Sequence, residues 1–167
     1  LNQIIFSQKN SVDVNPIPIS EHRMSELENN LMLFFTGFAR NASDIAKEQI
    51  KITLNKKNEL NNMLKICSEG LNVLNNEKEP IDKIGFLLNE QWQIKRKLTN
   101  QISNKEIDNI YYKGISAGAL GGKLLGAGGG GFILFYVPKI NQNKVQMALR
   151  PKLHVPFRFE NTGSKII

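Results

Sequence analysis

Between residues 114 and 131 the chain reads Gly-Ile-Ser-Ala-Gly-Ala-Leu-Gly-Gly-Lys-Leu-Leu-Gly-Ala-Gly-Gly-Gly-Gly, so nine of its 13 glycines crowd into eighteen positions. Glycine loses more backbone freedom on folding than any other residue and brings no side chain to a core. Geometry, not stability, accounts for such a concentration: backbone turning through positive φ, or close approach by another backbone or a ligand. The flanks say what kind of loop to expect. Upstream, Ile107, Ile110, Tyr111, Gly114 and Ile115 recur at helical spacing, with Ser103 and Glu106 placed as a capping box. Downstream, Phe132-Ile133-Leu134-Phe135-Tyr136-Val137 is a β-prone run stopped by Pro138. The expected order is helix, glycine loop, strand.

That order excludes two nucleotide motifs. Residues Gly126 to Gly131 fit the spacing of the dinucleotide fingerprint, but the fingerprint needs a strand before it and a helix after it. A preceding helix would instead aim its partially negative C-terminal end at the loop. Gly122-Lys123 is not a Walker lysine, because Ala117 and Leu124 stand where a glycine and a magnesium-binding hydroxyl are required. Any phosphate would have to be held by loop N–H groups arranged as a nest.

A chain of 167 residues is expected to form one domain with a substantial core. No apolar run reaches the roughly 20 residues that span a bilayer, and no signal peptide is evident, which points to a cytoplasmic protein. The start, Leu1 to Phe6, reads as the middle of a strand and suggests a piece of a longer polypeptide. A single cysteine, Cys67, rules out an internal disulfide and is expected in the core of a helix face. The formal charge of +7 suits anionic partners. The basic residues are scattered and lack interleaved aromatics, which argues against nucleic acid.

In chain order, residues 2–7 and 12–19 predict a hairpin, and residues 21–28 a short helix. Leu31-Met32-Leu33-Phe34-Phe35-Thr36 has no polar alternation and predicts a strand buried on both faces, ended by Gly37. A turn through Arg40 leads into a helix capped by Asn41 or Ser43. Leu60, Met63, Leu64, Cys67, Leu71 and Leu74 form one apolar helical stripe, and Ile84, Leu87, Leu88, Gln91, Trp92 and Leu98 lie roughly on one side of the next helix. Residues 143–149 predict a short helix and 153–159 a closing edge strand. The fold class is α+β, with an antiparallel sheet covered by helices on one face. His22 and His154 stand apart from each other, and neither has a nucleophile or a metal-ligand spacing around it, so no catalytic constellation and no metal site can be assembled.

The segment Lys123-Leu124-Leu125-Gly126-Ala127-Gly128-Gly129-Gly130-Gly131-Phe132 resembles the third conserved motif of the GHMP kinases. Leu33-Phe34-Phe35-Thr36-Gly37-Phe38-Ala39-Arg40, Trp92 with Lys95, Ile102-Ser103-Asn104 and Gly118 to Lys123 are similar to the branch that phosphorylates D-glycero-D-manno-heptose 7-phosphate. Sugar kinases of the fucokinase type are also similar. The resemblance implies a ferredoxin-like C-terminal domain over residues 19–167, with residues 1–18 as strands left from an N-terminal domain. It implies transfer of the ATP γ-phosphoryl group, with Mg2+, to the anomeric hydroxyl of the sugar phosphate. The phosphate loop and catalytic Asp of such kinases have no counterpart here, so the implied catalytic residues lie in the N-terminal domain and the chain alone is expected to be inactive. Gly126, Ala127, Gly128, Gly129 and Gly130 are the implied contacts toward the nucleotide; Gly37, Arg40 and Lys123 are the candidates for the phosphorylated sugar. Leu125 departs from the Ser or Thr that many GHMP kinases carry. Another GHMP small-molecule kinase, a regulatory domain that keeps the fold without activity, and a non-catalytic anion- or nucleic-acid-binding domain are the alternatives.

Overall fold

The structure, a computed structural model, describes residues 1–7, 11–38, 42–160 and 162–163. Strands β1 (Asn2–Phe6) and β2 (Val12–Pro16) pair antiparallel as a separate two-stranded sheet. Helix α1 (Glu21–Asn29) opens on Ser20, whose Oγ accepts from the Arg23 N–H. Strand β3 (Leu31–Phe35), helix α2 (Ala42–Ile52) and a 3-10 turn (Thr53–Lys56) lead to α3 (Lys57–Asn75) and α4 (Lys83–Lys95). Then come α5 (Lys105–Ser116), β4 (Gly121–Leu124), β5 (Phe132–Tyr136), α6 (Gln142–Ala148) and β6 (His154–Val155). The main sheet has four strands in the order β4-β5-β3-β6, antiparallel throughout, as the α+β expectation requires.

Register decides which side chains meet. Met32 lies opposite Phe135, Phe34 opposite Ile133, and Leu124 also opposite Ile133, so these residues share one face. Ile107, Ile110 and Tyr111 of α5, and Val145 of α6, close over that face to form the main core. Its centre is aromatic: Tyr111 stacks on Phe135 at 5.9 Å, Phe34 meets Phe135 edge-on at 6.1 Å, and Trp92 lies 6.0 Å from Tyr111. On the opposite face Leu31, Leu33, Phe35 and Leu134 are only half-buried and Phe132 is exposed. The β3 run is therefore buried on one face, not two as its composition suggests. Only the Tyr136 end of that second face is fully covered, by Leu27 of α1 and by Ile81 before α4. The Tyr136 hydroxyl donates to Asp82 at 2.8 Å and accepts from Asn30 Nδ2 at 3.1 Å.

Helix α4 reaches the sheet edge by a glycine-to-glycine approach. A Cβ at Gly121 would lie 1.8 Å from the Gly85 carbonyl oxygen and 2.9 Å from the Asn89 nitrogen. No side chain can stand between these two backbones. On its other side α4 packs Leu87 against Ile66 and Val73 of α3. The apolar stripe expected on α3 is thus shifted: Ile66 and Val73 are buried, while Leu64 is 66% exposed and the Cys67 thiol is exposed. Leu64, Cys67, Leu71 and Leu74 instead line a groove against β1. Arg23 is buried and donates to the carbonyl oxygens of Val73 and Glu79, tying α1 to the C-terminal end of α3. The start of α5 also differs from expectation. Asn104 is the cap, accepting from the N–H groups of Glu106 and Ile107 at 3.0 Å, and Ser103 donates to Asp108 at 2.6 Å.

Gly70 lies in the interior of α3, and a Cβ there meets nothing closer than Leu87 Cδ1 at 3.9 Å. Gly70→Ala is therefore expected to stabilise the chain by about 0.5–1 kcal/mol. Chemical denaturation checks this; a lower midpoint for the alanine variant would contradict the packing described.

Candidate functional site

Four residues of strand, Gly121 to Leu124, stand between α5 and the loop, so the order is helix, strand, glycine loop, strand. This corrects the expectation that a helix C-terminus faces the glycines. Residues 125–131 close the β4–β5 hairpin. Gly128 shows why glycine is required: its φ is 124°, and a Cβ would lie 2.8 Å from the Cα of Ile102.

The loop is fastened by hydrogen bonds from distant segments. The Gly129 N–H donates to the Ile102 carbonyl at 2.9 Å. The Thr36 N–H donates to the Gly131 carbonyl at 2.8 Å, and the Gly131 N–H donates to Phe38 at 2.8 Å and to Thr36 Oγ1 at 3.1 Å. Gln49 of α2 donates to Ala127 at 2.8 Å. Among the described residues, the N–H groups of Gly126, Ala127, Gly128 and Gly130 make no hydrogen bond. They are the donors left for a ligand.

Two lysines flank the start of the loop. Lys95, at the end of α4, donates to the Gly126 carbonyl at 2.5 Å, and Lys123 in β4 donates to Gln91 Oε1 at 2.5 Å. Neither is in an ion pair among the described residues. Burial and, second, the like charge of Lys123 push the Lys95 ammonium down to about 8. Burial likewise lowers Lys123. A pair of desolvated cations without a counter-charge is a place for an anion.

The expected site residues are distributed unevenly. The loop residues Gly126 to Gly130 and Gly37 come to the same end of the sheet, because Thr36 is bonded to Gly131. Gly37 has φ 95°, and Lys152 bonds the Thr36 carbonyl beside it at 2.8 Å while pairing with Glu106 at 2.7 Å. Lys123 faces α4, where it donates to Gln91 close to Lys95 and the start of the loop. Arg40 lies outside the described residues. Thr36 and Ile102 stand in the resembling motifs and Gln91 in the α4 stripe, but the sequence singles out none of them as a site residue, nor Gln49. No group of three His, Cys, Asp or Glu side chains able to hold a metal ion occurs among the described residues, and none of their helices is long and apolar enough to cross a membrane.

Comparison with known proteins matches residues 74–153 to the family described as GHMP kinases C terminal. The D-glycero-alpha-D-manno-heptose 7-phosphate kinase of Campylobacter jejuni is 33% identical over 154 residues, which are 89% of this chain and 44% of that protein. The bifunctional fucokinase/GDP-fucose pyrophosphorylase of Arabidopsis thaliana is 29% identical over 150 residues, 87% of this chain and 14% of that protein. Among solved structures, Methanococcus jannaschii mevalonate kinase has a similar fold, with TM-score 0.72 and 21% identity over 93% of this chain and 46% of that one. The chain thus spans less than half the length of the relatives it matches.

Proposed function

We propose, from the match of residues 74–153 to the GHMP kinases C-terminal family, that this chain is the C-terminal part of a cytoplasmic, ATP- and Mg2+-dependent kinase that phosphorylates the anomeric hydroxyl of D-glycero-D-manno-heptose 7-phosphate. The observation that carries the reading is the site itself: a glycine loop with four N–H groups that have no partner among the described residues, flanked by two lysines that meet no carboxylate among them. Such an arrangement accepts phosphate oxygens, and the heptose 7-phosphate kinase of Campylobacter jejuni is the relative with the higher identity of the two curated ones.

ATP would supply the phosphoryl group, and phosphoryl transfer depends chiefly on positioning and charge stabilisation. The N–H groups of Gly126 to Gly130 are suited to the nucleotide phosphates, with Mg2+ held by an N-terminal domain of the same polypeptide. Gly37, Arg40 and Lys123 are assigned to the phosphorylated sugar. Residues 1–18 belong with the strands of the N-terminal domain and 19–167 with the C-terminal one; the hairpin forms a sheet separate from the main one, which agrees with this division.

The test is a coupled kinase assay on the protein that includes this chain and its N-terminal domain, with heptose 7-phosphate, fucose and mevalonate as acceptors. Turnover with the heptose phosphate is expected in the range of about 1–100 s⁻¹ typical of kinases, and none from this chain alone. A preference for fucose would move the reading to the fucokinase branch. Turnover by the isolated chain would sink the division of labour.

A further inference from the structure

Some of the described cations make an ion pair and many, Lys57, Lys97 and Lys113 among them, do not. Lys56, Lys83, Arg96, Lys152 and Arg158 each meet a carboxylate, and Arg23 is satisfied by backbone carbonyls. Lys95 and Lys123 meet only a carbonyl and an amide oxygen, both neutral. Gln91 and Lys95 stand one helical turn apart on α4, and Lys123 faces them from β4, so three side chains from two elements converge beside Gly126.

We propose that Lys95 and Lys123 together form a two-cation site for a phosphate group at the foot of the glycine loop, with Gln91 holding Lys123 in place. The proposal deepens the kinase reading and rests on it for the owner of the phosphate, either the phosphorylated sugar or the nucleotide. Each lysine provides up to three donors and spends only one on the protein oxygen it now touches. A phosphate dianion would bring the charge that both lack and remove the repulsion between them. Gly126 couples the site to the loop. Its carbonyl is held by Lys95 while its own N–H and those of Ala127, Gly128 and Gly130 stay unpaired, so an anion drawn to the lysines arrives where those donors begin. Burial is the main influence on the titration of both lysines; the Lys123 charge acts next on Lys95, and Cys67 of α3 next on Lys123. A lowered ammonium is also a better nucleophile near neutral pH, which gives a readout that needs no mutation.

The experiment takes the 167-residue chain at pH 8 and low salt. Lysines are labelled with acetic anhydride and mapped by mass spectrometry, alone and with inorganic phosphate, mannose 6-phosphate or ATP. Lys95 is expected to label ahead of the exposed lysines and to be protected by at least one of the three. Calorimetry with the protecting anion should show about 10-fold weaker binding for Lys95→Met and for Lys123→Met, most of the affinity retained in Lys95→Arg, and no change in Lys97→Met. Stronger protection by mannose 6-phosphate assigns the site to the sugar's phosphate, and stronger protection by ATP to the nucleotide; either supports the pair. Absence of protection by all three anions, or binding that survives in the Lys95→Met, Lys123→Met double variant, overturns it. If the kinase assay fails with heptose 7-phosphate while Lys95 remains protected, the proposed function falls and the anion site stands.

Discussion

Gly121→Ala is expected to lower the melting temperature of the chain sharply. The Cβ it adds would stand 1.8 Å from the Gly85 carbonyl oxygen and 2.9 Å from the backbone nitrogen of Asn89. Both are main-chain atoms of α4, so no rotamer change relieves the clash, and α4 must lift from β4. Lifting it loosens Leu87 and Trp92, buried now, from α3 and the aromatic core. Each large apolar side chain that loses its burial costs about 1.5–3 kcal/mol, so the total exceeds about 3 kcal/mol. Against a typical stability of about 5–15 kcal/mol that is a large fraction. Circular dichroism melts decide the matter: a midpoint within a few degrees of the parent would show that α4 does not approach β4 as described.

Arg40→Ala, in the protein that joins this chain to its N-terminal domain, is expected to raise the KM for heptose 7-phosphate and leave that for ATP nearly unchanged. Arg40 follows the end of β3, where Thr36 is bonded to Gly131 of the glycine loop. End loops of a sheet commonly present binding residues. Loss of a charge-assisted hydrogen bond is worth roughly 1.5–3 kcal/mol, or about 10- to 150-fold in kcat/KM. Arg40→Lys should recover part of this, since an ammonium cannot reproduce the bidentate fork. A fall in ATP affinity instead would place Arg40 on the nucleotide. No change in either constant would remove it from the site and leave the anion to Lys95 and Lys123.

The glycine loop, the α+β class and the helix–strand alternation were legible because each is written in local pattern. Strand β4 was not: Gly121 and Gly122 have poor β-propensity, and their extended conformation depends on β5 on one side and α4 on the other. The face of α3 was misjudged for a similar reason. Its sequence offers apolar residues on more than one side, and only the position of α4 selects Ile66 and Val73 for burial. At the site, Lys123 could be picked out by its place beside the loop. Its partner Gln91 could not, because their meeting is made by tertiary packing across 32 positions.

The fastening of the glycine loop also fixes when it can exist. Its bonds to Thr36 and Phe38 join residues about 95 positions apart, and its bonds to Gln49 and Ile102 bring in two further segments. Closing separations of that size costs chain entropy before any contact compensates. The strands β3 and β5 must already be paired, and α5 seated, before Gly129 and Gly131 find their acceptors. The loop is therefore expected to take its shape no earlier than these strands pair, which hydrogen-exchange labelling during refolding would check. A chain that has not closed these contacts does not hold the free N–H groups of the loop together.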